Sequence, residues 1–213
     1  MSGTKLDIVE IFESIQGEGY WTGTPASFIR LAGCNRECSF CDTDRTAYHC
    51  FDTDQIMNRI RKQKHRHVVI TGGEPALQNI NPIVMQLQLE HYRVQVETNG
   101  DQKIEAVPNW TTVSPKELLP TEIGIRTADE LKIVIVDEAH AKKFRKIASL
   151  WTNQEICRFK HFFLQPNHYN PREFHAVHGM NIELTLKLVK KLGAPWRLSI
   201  QTHKLLCEAV KMK

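Results

Sequence analysis

The amino-acid sequence predicts an α/β fold that is built on a mostly parallel sheet. Short segments rich in β-branched and apolar residues alternate with longer segments of helical periodicity. The predicted strands are almost continuously apolar, as strands are when helices cover both faces of a sheet. The chain has 213 residues, a length that fits about six β/α units. Because no repeat or low-complexity tract interrupts the alternation, we expect a single domain over residues 1–213.

Each element is predicted by a local pattern. The predicted strands are 26–32, 67–71, 93–98, 110–114, 131–136, 161–165 and 196–201. The predicted helices are 52–62, 76–90, 138–150 and 171–192. Asp52 and Gln55 form a capping-box pattern at the start of the first helix, and Gly193 ends the last one. The segment 99–129 is the least regular, and it could contain a shortened crossover between strands.

Composition and charge narrow the classes of partner. The net charge of +4 permits an anionic substrate but does not indicate nucleic-acid binding. We expect the basic stretch 59–67 to be the solvated end of a helix and the loop after it. No apolar run approaches the roughly 20 residues that span a bilayer, and the first residues lack the basic and apolar regions of a signal peptide. Six cysteines without a disulfide pattern favour a reducing compartment, so we expect a cytoplasmic protein.

The most specific motif is Cys34, Cys38 and Cys41, which have the spacing C-x₃-C-x₂-C. Thiolates are soft ligands that suit zinc or iron–sulfur clusters. A closed zinc site and a fully ligated 4Fe–4S cluster both need four ligands, and no second ligand pair with a regular spacing is present. Three thiolates would leave one iron of a cluster open to a further ligand, which points to an enzyme. A zinc site completed by a distant histidine remains the alternative, and the histidines considered for it are His168, His175 and His178.

Polar side chains follow most of the predicted strands. Besides the cysteine loop, these strand-end segments are 71–74, 97–100, 114–116, 165–167 and 201–203. Ligands of parallel sheets gather at the carboxyl ends of the strands, so we expect one active site at this edge. Gly72 and Gly73 would let the backbone approach a ligand closely. Turn formation alone explains these glycines, but it does not explain the Glu, Lys and Gln residues that accompany the turns.

Taken together, these segments resemble the radical S-adenosylmethionine (SAM) superfamily. Within it, they resemble most the enzymes that contract a pterin to a 7-deazapurine. The cysteine spacing indicates only the superfamily, whereas the narrower resemblance depends on Gln-Gly-Glu-Gly at 16–19, Cys-Asp-Thr at 41–43 and Gln-Thr-His-Lys at 201–204. The resemblance implies a partial (β/α)₆ barrel with parallel strands. It also implies conversion of 6-carboxy-5,6,7,8-tetrahydropterin to 7-carboxy-7-deazaguanine with loss of ammonia, for queuosine or another 7-deazapurine.

The resemblance implies a role for individual residues as well. The 4Fe–4S cluster would be held by Cys34, Cys38 and Cys41, and Mg²⁺ by Thr43. The residues matched to the S-adenosylmethionine site are Gly73, Glu74, Ser114, Pro115, Lys116, Gln165 and Asn167. The residues matched to the substrate site are Ile15, Gln16, Gly17, Arg30 and Thr71. The planar guanidinium of Arg30 suits a substrate carboxylate. The alternative role for this residue is a surface ion pair. The residues after Gln165 and Pro166 depart from the usual family sequence, which affects the match of Asn167.

Partners are also implied by the resemblance. They are a small-molecule pterin substrate, a reductant of the flavodoxin or ferredoxin type, and a second copy of the chain in a homodimer, with no direct nucleic-acid or membrane partner. Two other functions remain open at this point. One is a radical SAM activase that acts on a partner protein. The other is a metal-stabilised RNA-binding module that uses the basic stretch near Arg61.

Overall fold

One open sheet of nine strands organises the chain. The computed structural model describes residues 4–41, 47–167 and 177–204. Within these ranges the strands are β1 (Lys5–Ile15), β2 (Pro25–Leu31), β3 (His49–Asp52), β4 (His67–Gly72), β5 (Arg93–Thr98), β6 (Trp110–Val113), β7 (Thr127–Ile135), β8 (Arg158–Pro166) and β9 (Trp196–Leu198). The helices are α1 (Thr53–Ile60), α2 (Asn81–Leu89), α3 (Glu138–Thr152) and α4 (Val177–Leu192). The order across the sheet is β3-β1-β2-β4-β5-β6-β7-β8-β9.

Seven of the strands run parallel, from β2 through β4, β5, β6, β7 and β8 to β9. This sheet confirms the predicted partial-barrel class. Two strands, β1 and β3, were not predicted. At one edge of the sheet, β1 pairs antiparallel with both β2 and β3. Charged residues such as Asp7, Glu10 and Glu13 interrupt the sequence of β1. An antiparallel strand with one face in water can accommodate charged residues, and a search for continuously apolar strands misses it.

Several boundaries differ from the prediction. The helix predicted from residue 76 is a short 3₁₀ turn at Pro75–Leu77, and α2 begins only at Asn81, with Pro82 in its first turn. The strand β7 begins at Thr127 rather than at residue 131, because pairing with β8 extends it through polar residues. The last strand ends at Leu198 rather than at residue 201. Of the last predicted helix, residues 171–176 lie outside the described residues.

Other local predictions are confirmed. The backbone N–H of Gln55 donates to Asp52 Oδ1 at 2.8 Å, and that of Asp52 donates to Gln55 Oε1 at 3.0 Å, which completes the capping box of α1. Residues 99–109, all of which are described, connect β5 to β6 without a helix, and a 3₁₀ turn at Pro120–Glu122 lies between β6 and β7. This is the shortened crossover that the irregular segment suggested. None of the helices in the described ranges is both long and apolar enough to cross a membrane.

Two hydrophobic cores lie on the outer face of the sheet. One packs side chains of β1, β2, β4 and β5 against α1 and α2, and the other packs β6 to β9 against α3 and α4. The alternate, inward side chains are largely polar yet buried; they include Gln16, His67, Gln95, Thr112, Glu130, Lys132, Gln165 and Ser199. Buried polar groups need partners, so the inner face of the partial barrel is the place to look for a site.

Candidate active site

A cleft of about 730 Å³ opens at the carboxyl ends of the parallel strands. Most of the residues predicted for the site line it: Ile15, Gln16, Gly17, Arg30, Cys34, Cys38, Cys41, Thr71, Gly73, Glu74, Ser114, Lys116, Gln165 and Asn167. Pro115 is buried between two lining residues and is not itself part of the wall. Thr43, predicted to bind Mg²⁺, lies outside the described residues, as do the side chains of His168, His175 and His178.

The three cysteines of the motif lie in one loop on the wall of the cleft. The loop turns at its end, where the backbone N–H of Cys41 donates to Cys38 O at 3.0 Å. Nowhere in the described part of the chain are three His, Cys, Asp or Glu side chains arranged around a single metal ion. A cluster binds each cysteine at a different iron, whereas structural zinc needs four donors around one point. The three cysteines of this loop therefore suit a 4Fe–4S cluster.

The Gly-Gly-Glu turn after β4 supports the start of the cysteine loop. The backbone N–H of Gly73 donates to Leu31 O, and that of Glu74 donates to Gly33 O, both at 2.8 Å. A Cβ atom on Gly73 would lie 1.6 Å from Gly33 O. Only glycine permits this approach, so the turn after β4 fixes the backbone immediately before Cys34.

The Glu74 carboxylate joins this turn to the end of β5. The side chain is buried, and its oxygens accept hydrogen bonds from Thr98 Oγ1 at 2.6 Å, Asn99 N at 2.7 Å and Ala76 N at 2.9 Å. Charge-assisted bonds of this kind are stronger than neutral ones. Two neighbouring strand ends are thereby held in a fixed relation at the cleft.

The loop after β1 closes the opposite side of the cleft. Gln16 Nε2 donates to Glu97 Oε1 on β5 at 2.8 Å. Further along, Gly17 O accepts from the backbone N–H of Thr202 at 3.0 Å, and a Cβ on Gly17 would lie 1.9 Å from His203 Nδ1. The chain thus crosses from one edge region of the open sheet to the segment that follows β9.

A buried ion-pair network forms the floor of the cleft. Lys132 Nζ bonds to Glu18 Oε2 and lies 3.6 Å from Glu97 Oε2, while Gln201 Nε2 donates to Glu18 Oε1 at 2.6 Å. Burial acts to lower the pKa of Lys132, but the three carboxylates around it outweigh burial and hold that pKa above its usual range. Burial acts to raise the pKa of Glu18, and the charge and hydrogen bond of Lys132 hold it well below its usual range. Both groups are therefore charged at neutral pH.

The third of these carboxylates, Glu130, lies deeper in the partial barrel. It is only 1% exposed, and its Oε2 accepts from the backbone N–H of Tyr20 at 3.0 Å. Burial raises the pKa of Glu130 to about 7, although the charge of Lys132 opposes this shift. The network therefore holds the charged Glu18 beside Glu130, a carboxyl group whose pKa of about 7 lies near neutrality.

Two further cations line the cleft. Lys116 Nζ donates to Ser114 Oγ at 3.2 Å, and burial lowers the pKa of Lys116. Arg30 is paired in register with Thr71 across β2 and β4, and its Nε donates to Glu10 Oε1 at 2.7 Å. Arg30 thus forms the ion pair considered for it and lines the cleft as well.

Sequence reasoning assigned no role to several residues that the structure brings to the cleft: Glu18, Glu97, Lys132, Gln201 and His203. Four of them lay in segments that the sequence analysis singled out, because Glu18 belongs to the Gln-Gly-Glu-Gly segment and the others, except Lys132, belong to the strand-end segments 97–100 and 201–203. Lys132 sits inside a predicted strand, and an inward-facing charge there needs partners. Those partners come from distant segments, so local spacing could not identify them.

Comparisons with known proteins agree with this geometry. A sequence model described as the radical SAM superfamily matches residues 28–110. The 7-carboxy-7-deazaguanine synthase of Bacteroides thetaiotaomicron is 39% identical over 199 residues, which cover 93% of this chain and 96% of the relative. The enzyme of the same name from Buchnera aphidicola subsp. Schizaphis graminum is 36% identical, with 93% and 97% covered. The crystal structure of QueE from Escherichia coli superimposes with a TM-score of 0.71 at 27% identity, covering 93% of this chain and 95% of that one.

Proposed function

The chain belongs to the 7-carboxy-7-deazaguanine synthase family of radical SAM enzymes, and we propose that its chemistry takes place in the cleft at the carboxyl edge of the sheet. The protein is an enzyme of queuosine biosynthesis that uses a 4Fe–4S cluster and S-adenosylmethionine, with Mg²⁺ as an accessory ion. Its substrate is 6-carboxy-5,6,7,8-tetrahydropterin, which it converts to 7-carboxy-7-deazaguanine with loss of ammonia. The assignment of individual residues to these ligands is our proposal.

Cys34, Cys38 and Cys41 would hold the cluster, since they share one wall of the cleft and one loop. When bound, the cluster and S-adenosylmethionine supply the one-electron chemistry that starts the reaction. The protein contributes position and exclusion of water. Gly73 and Glu74 lie beside the cysteine loop, where backbone groups and a carboxylate suit the amino-acid end of S-adenosylmethionine.

The remainder of the S-adenosylmethionine site comes from the second half of the sheet. Ser114 and Lys116 follow β6, Gln165 is near the end of β8, and Asn167 comes directly after it. Their hydroxyl, ammonium and amide groups can bond the ribose and adenine. Pro115 fixes the backbone between Ser114 and Lys116 without reaching the wall.

The substrate would lie between Arg30 and the buried network. The Arg30 fork suits the pterin carboxylate, and Thr71 is its register partner on the next strand. Ile15, Gln16 and Gly17 line the same side. The side-chain oxygens of Glu18 and Glu97 can accept hydrogen bonds from the N–H groups of the pterin ring, which are donors. The assignment of Thr43 to Mg²⁺ stays a prediction.

The observation that carries this proposal is the shared cleft of the cysteine loop, the Gly-Gly-Glu turn and the buried ion-pair network. The test is anaerobic incubation of reconstituted protein with carboxytetrahydropterin, S-adenosylmethionine, Mg²⁺ and a reductant. We expect 7-carboxy-7-deazaguanine as the product, without any protein substrate. An intact cluster that yields no deazaguanine would count against the proposal.

A matched pair of variants tests the cluster ligands themselves. Cys38→Ala removes a proposed ligand, and Cys50→Ala removes an exposed thiol on β3, outside the cleft. We expect Cys38→Ala to lose the cluster absorbance and paramagnetic signal while the far-ultraviolet circular dichroism is kept. We expect Cys50→Ala to match the unmodified chain in both. A cluster of normal content in Cys38→Ala would remove this residue from the ligand set.

The environment of the enzyme is also part of the proposal. Because Cys50 is an exposed thiol that forms no disulfide, a reducing compartment suits the protein, and we place it in the cytoplasm. A flavodoxin- or ferredoxin-type protein would supply electrons, and the chain would act as a homodimer without binding nucleic acid or membrane. Sedimentation of the loaded enzyme tests the dimer, and a single species of monomer mass contradicts it.

A further inference from the structure

We infer that Arg36 is a positioning residue that keeps the cysteine loop in a ligand-ready shape before the cluster is inserted. Arg36 lies between the first two cysteines of the motif, and it is neither a ligand nor part of the resemblance that identified the family. The inference rests on the proposed cluster site and goes beyond it, because it concerns how the loop is held rather than what the loop binds.

The guanidinium of Arg36 forms ion pairs with two acidic side chains. Its Nε donates to Asp101 Oδ2 at 2.6 Å and its Nη2 donates to Asp101 Oδ1 at 3.1 Å, a forked ion pair. Its Nη1 bonds to Glu117 Oε1. Asp101 follows β5 and Glu117 follows β6, so one side chain joins the cysteine loop to two strand ends. A forked guanidinium pair fixes orientation as well as distance, which an ammonium cannot do.

The neighbouring Asn35 adds a second connection to the same place. Asn35 Nδ2 donates to Asp101 Oδ2 at 2.8 Å, and Asn99 Nδ2 donates to Asn35 Oδ1 at 2.7 Å. Asn99 Oδ1 in turn accepts from the backbone N–H of Asp101 at 2.9 Å, and the Asn99 backbone is bonded to Glu74. The segment between Cys34 and Cys38 is therefore tied to the structure that also holds the Gly-Gly-Glu turn.

The loop needs such support because residues 34–41 form neither helix nor strand. Ordering a residue costs backbone conformational entropy. A loop that is already ordered does not incur that cost when the cluster is inserted. Side chains that orient metal ligands from outside act in this way, and their loss weakens metal sites.

Arg36→Lys tests the inference, because lysine keeps the positive charge and removes the fork. We expect the reconstituted variant to lose iron to a chelator about 10-fold faster than the unmodified chain, the lower end of the effect typical for such partners. The readout is the decay of cluster absorbance under anaerobic conditions, without substrate or S-adenosylmethionine. Arg61→Lys is the matched control, since Arg61 forms a similar fork with Glu90 at 3.0 and 2.5 Å, away from the cleft.

A double-variant comparison separates positioning from a general loss of stability. If Arg36 acts through Asp101, then Asp101→Asn should also accelerate iron loss, and the double variant should lose iron no faster than the worse single one. Iron loss equal to that of the unmodified chain in both single variants overturns the inference. So does an equal acceleration in Arg61→Lys. If Arg36→Lys does not fold, Asp101→Asn and Glu117→Gln carry the same test. An unmodified chain that takes up no cluster would instead contradict the proposed function.

Discussion

At the scale of single residues, the buried lysine of the cleft floor is the most consequential charge. Lys132 has a side chain that is 5% exposed and lies between Glu18 and Glu97. Removing one partner of a buried ion pair leaves uncompensated charge, which costs more than the pair itself contributes. The site therefore depends on this cation even if it never touches a ligand.

We predict that Lys132→Met lowers the free energy of unfolding by about 3–5 kcal/mol at pH 7, because two carboxylates are left unpaired. Urea denaturation of the cluster-free chain measures the loss. The control is Lys160→Met, which removes a surface pair with Asp129 at 2.6 Å, where the lysine side chain is 71% exposed. That change should cost about 0–1 kcal/mol, and equal costs for the two variants would contradict the prediction.

The stability that the pair of Lys132 and Glu18 contributes depends on pH, and the sign of this dependence follows from the pKa of Glu18. In the folded chain the pKa of Glu18 lies well below its usual value of 4.5, with burial opposing and Lys132 causing the shift. Its contribution to stability is therefore fully present above pH 4.5 and is lost progressively as the pH falls below 4.5 toward the lowered pKa of the folded chain. We expect the stability difference between the unmodified chain and Lys132→Met to shrink on acidification below pH 4.5, measured by urea midpoints. A difference that grows on acidification would show that the carboxylates are not the partners.

Glu130 should behave in the opposite way. Burial raises its pKa from 4.5 to about 7, so the folded chain holds a proton that the unfolded chain releases. The contribution of this group to the free energy of unfolding therefore falls as pH rises from 4.5 to about 7. We predict that Glu130→Gln, which stays neutral, gains stability relative to the unmodified chain between pH 5 and pH 8, as followed by thermal midpoints. A constant difference over that range would mean that Glu130 is already ionised at pH 5.

The residues that sequence reasoning identified share one property, which is a fixed local spacing. Cys34, Cys38 and Cys41 are recognisable without any structure, and so is the Gly-Gly-Glu turn. Lys132 and Glu18 are separated by 114 positions in the chain. Their pairing is set by which strand lies beside which, so only the folded sheet shows it.

At the scale of elements, the turn after β4 decides where the cysteine loop begins. We predict that Gly73→Ala lowers cluster content sharply, because its Cβ would lie 1.6 Å from Gly33 O and must displace the backbone before Cys34. Iron and sulfide analysis after reconstitution measures this. The control is Gly23→Ala: its backbone φ of +87° disfavours alanine, but its Cβ meets nothing within 4 Å. Gly23→Ala should cost roughly 1–2 kcal/mol of stability and keep its cluster, and equal cluster loss in both would contradict the prediction.

The elements that were predicted correctly are those whose local sequence pattern identifies them without knowledge of their neighbours in the fold. The β4 strand has a continuous apolar run at 68–70, β5 alternates valine with polar residues, and α1 carries its own capping box. The β1 strand and the start of α2 were missed for opposite reasons. The polar face of β1 is explained only by its place near an edge, and the helical pattern from residue 76 continues across a 3₁₀ turn that local periodicity does not separate from α2.

At the scale of the whole molecule, the site is built from both halves of the sheet, each of which has its own hydrophobic core. The first core packs around α1 and α2 and the second around α3 and α4, while the polar inner face of the sheet joins them. Residues of both halves line the cleft, including Glu74 from the first and Ser114 and Gln165 from the second. A ligand that fills the cleft therefore bridges two packing units that otherwise meet mainly through strand pairing and the loop after β1.

This arrangement leads to a prediction about the stability of the loaded enzyme. A ligand that binds only the folded chain stabilises it by about 2.7 kcal/mol at a concentration 100 times its dissociation constant. We expect S-adenosylmethionine to raise the thermal midpoint of the cluster-loaded chain in a concentration-dependent manner, under anaerobic conditions. In the cluster-free chain the rise should be smaller at every concentration, because the open iron is then missing from the site. Gln165→Ala removes a buried contact of the second half, so it should move the titration to higher concentrations. A midpoint that S-adenosylmethionine leaves unchanged in the loaded chain would contradict its binding to the folded chain.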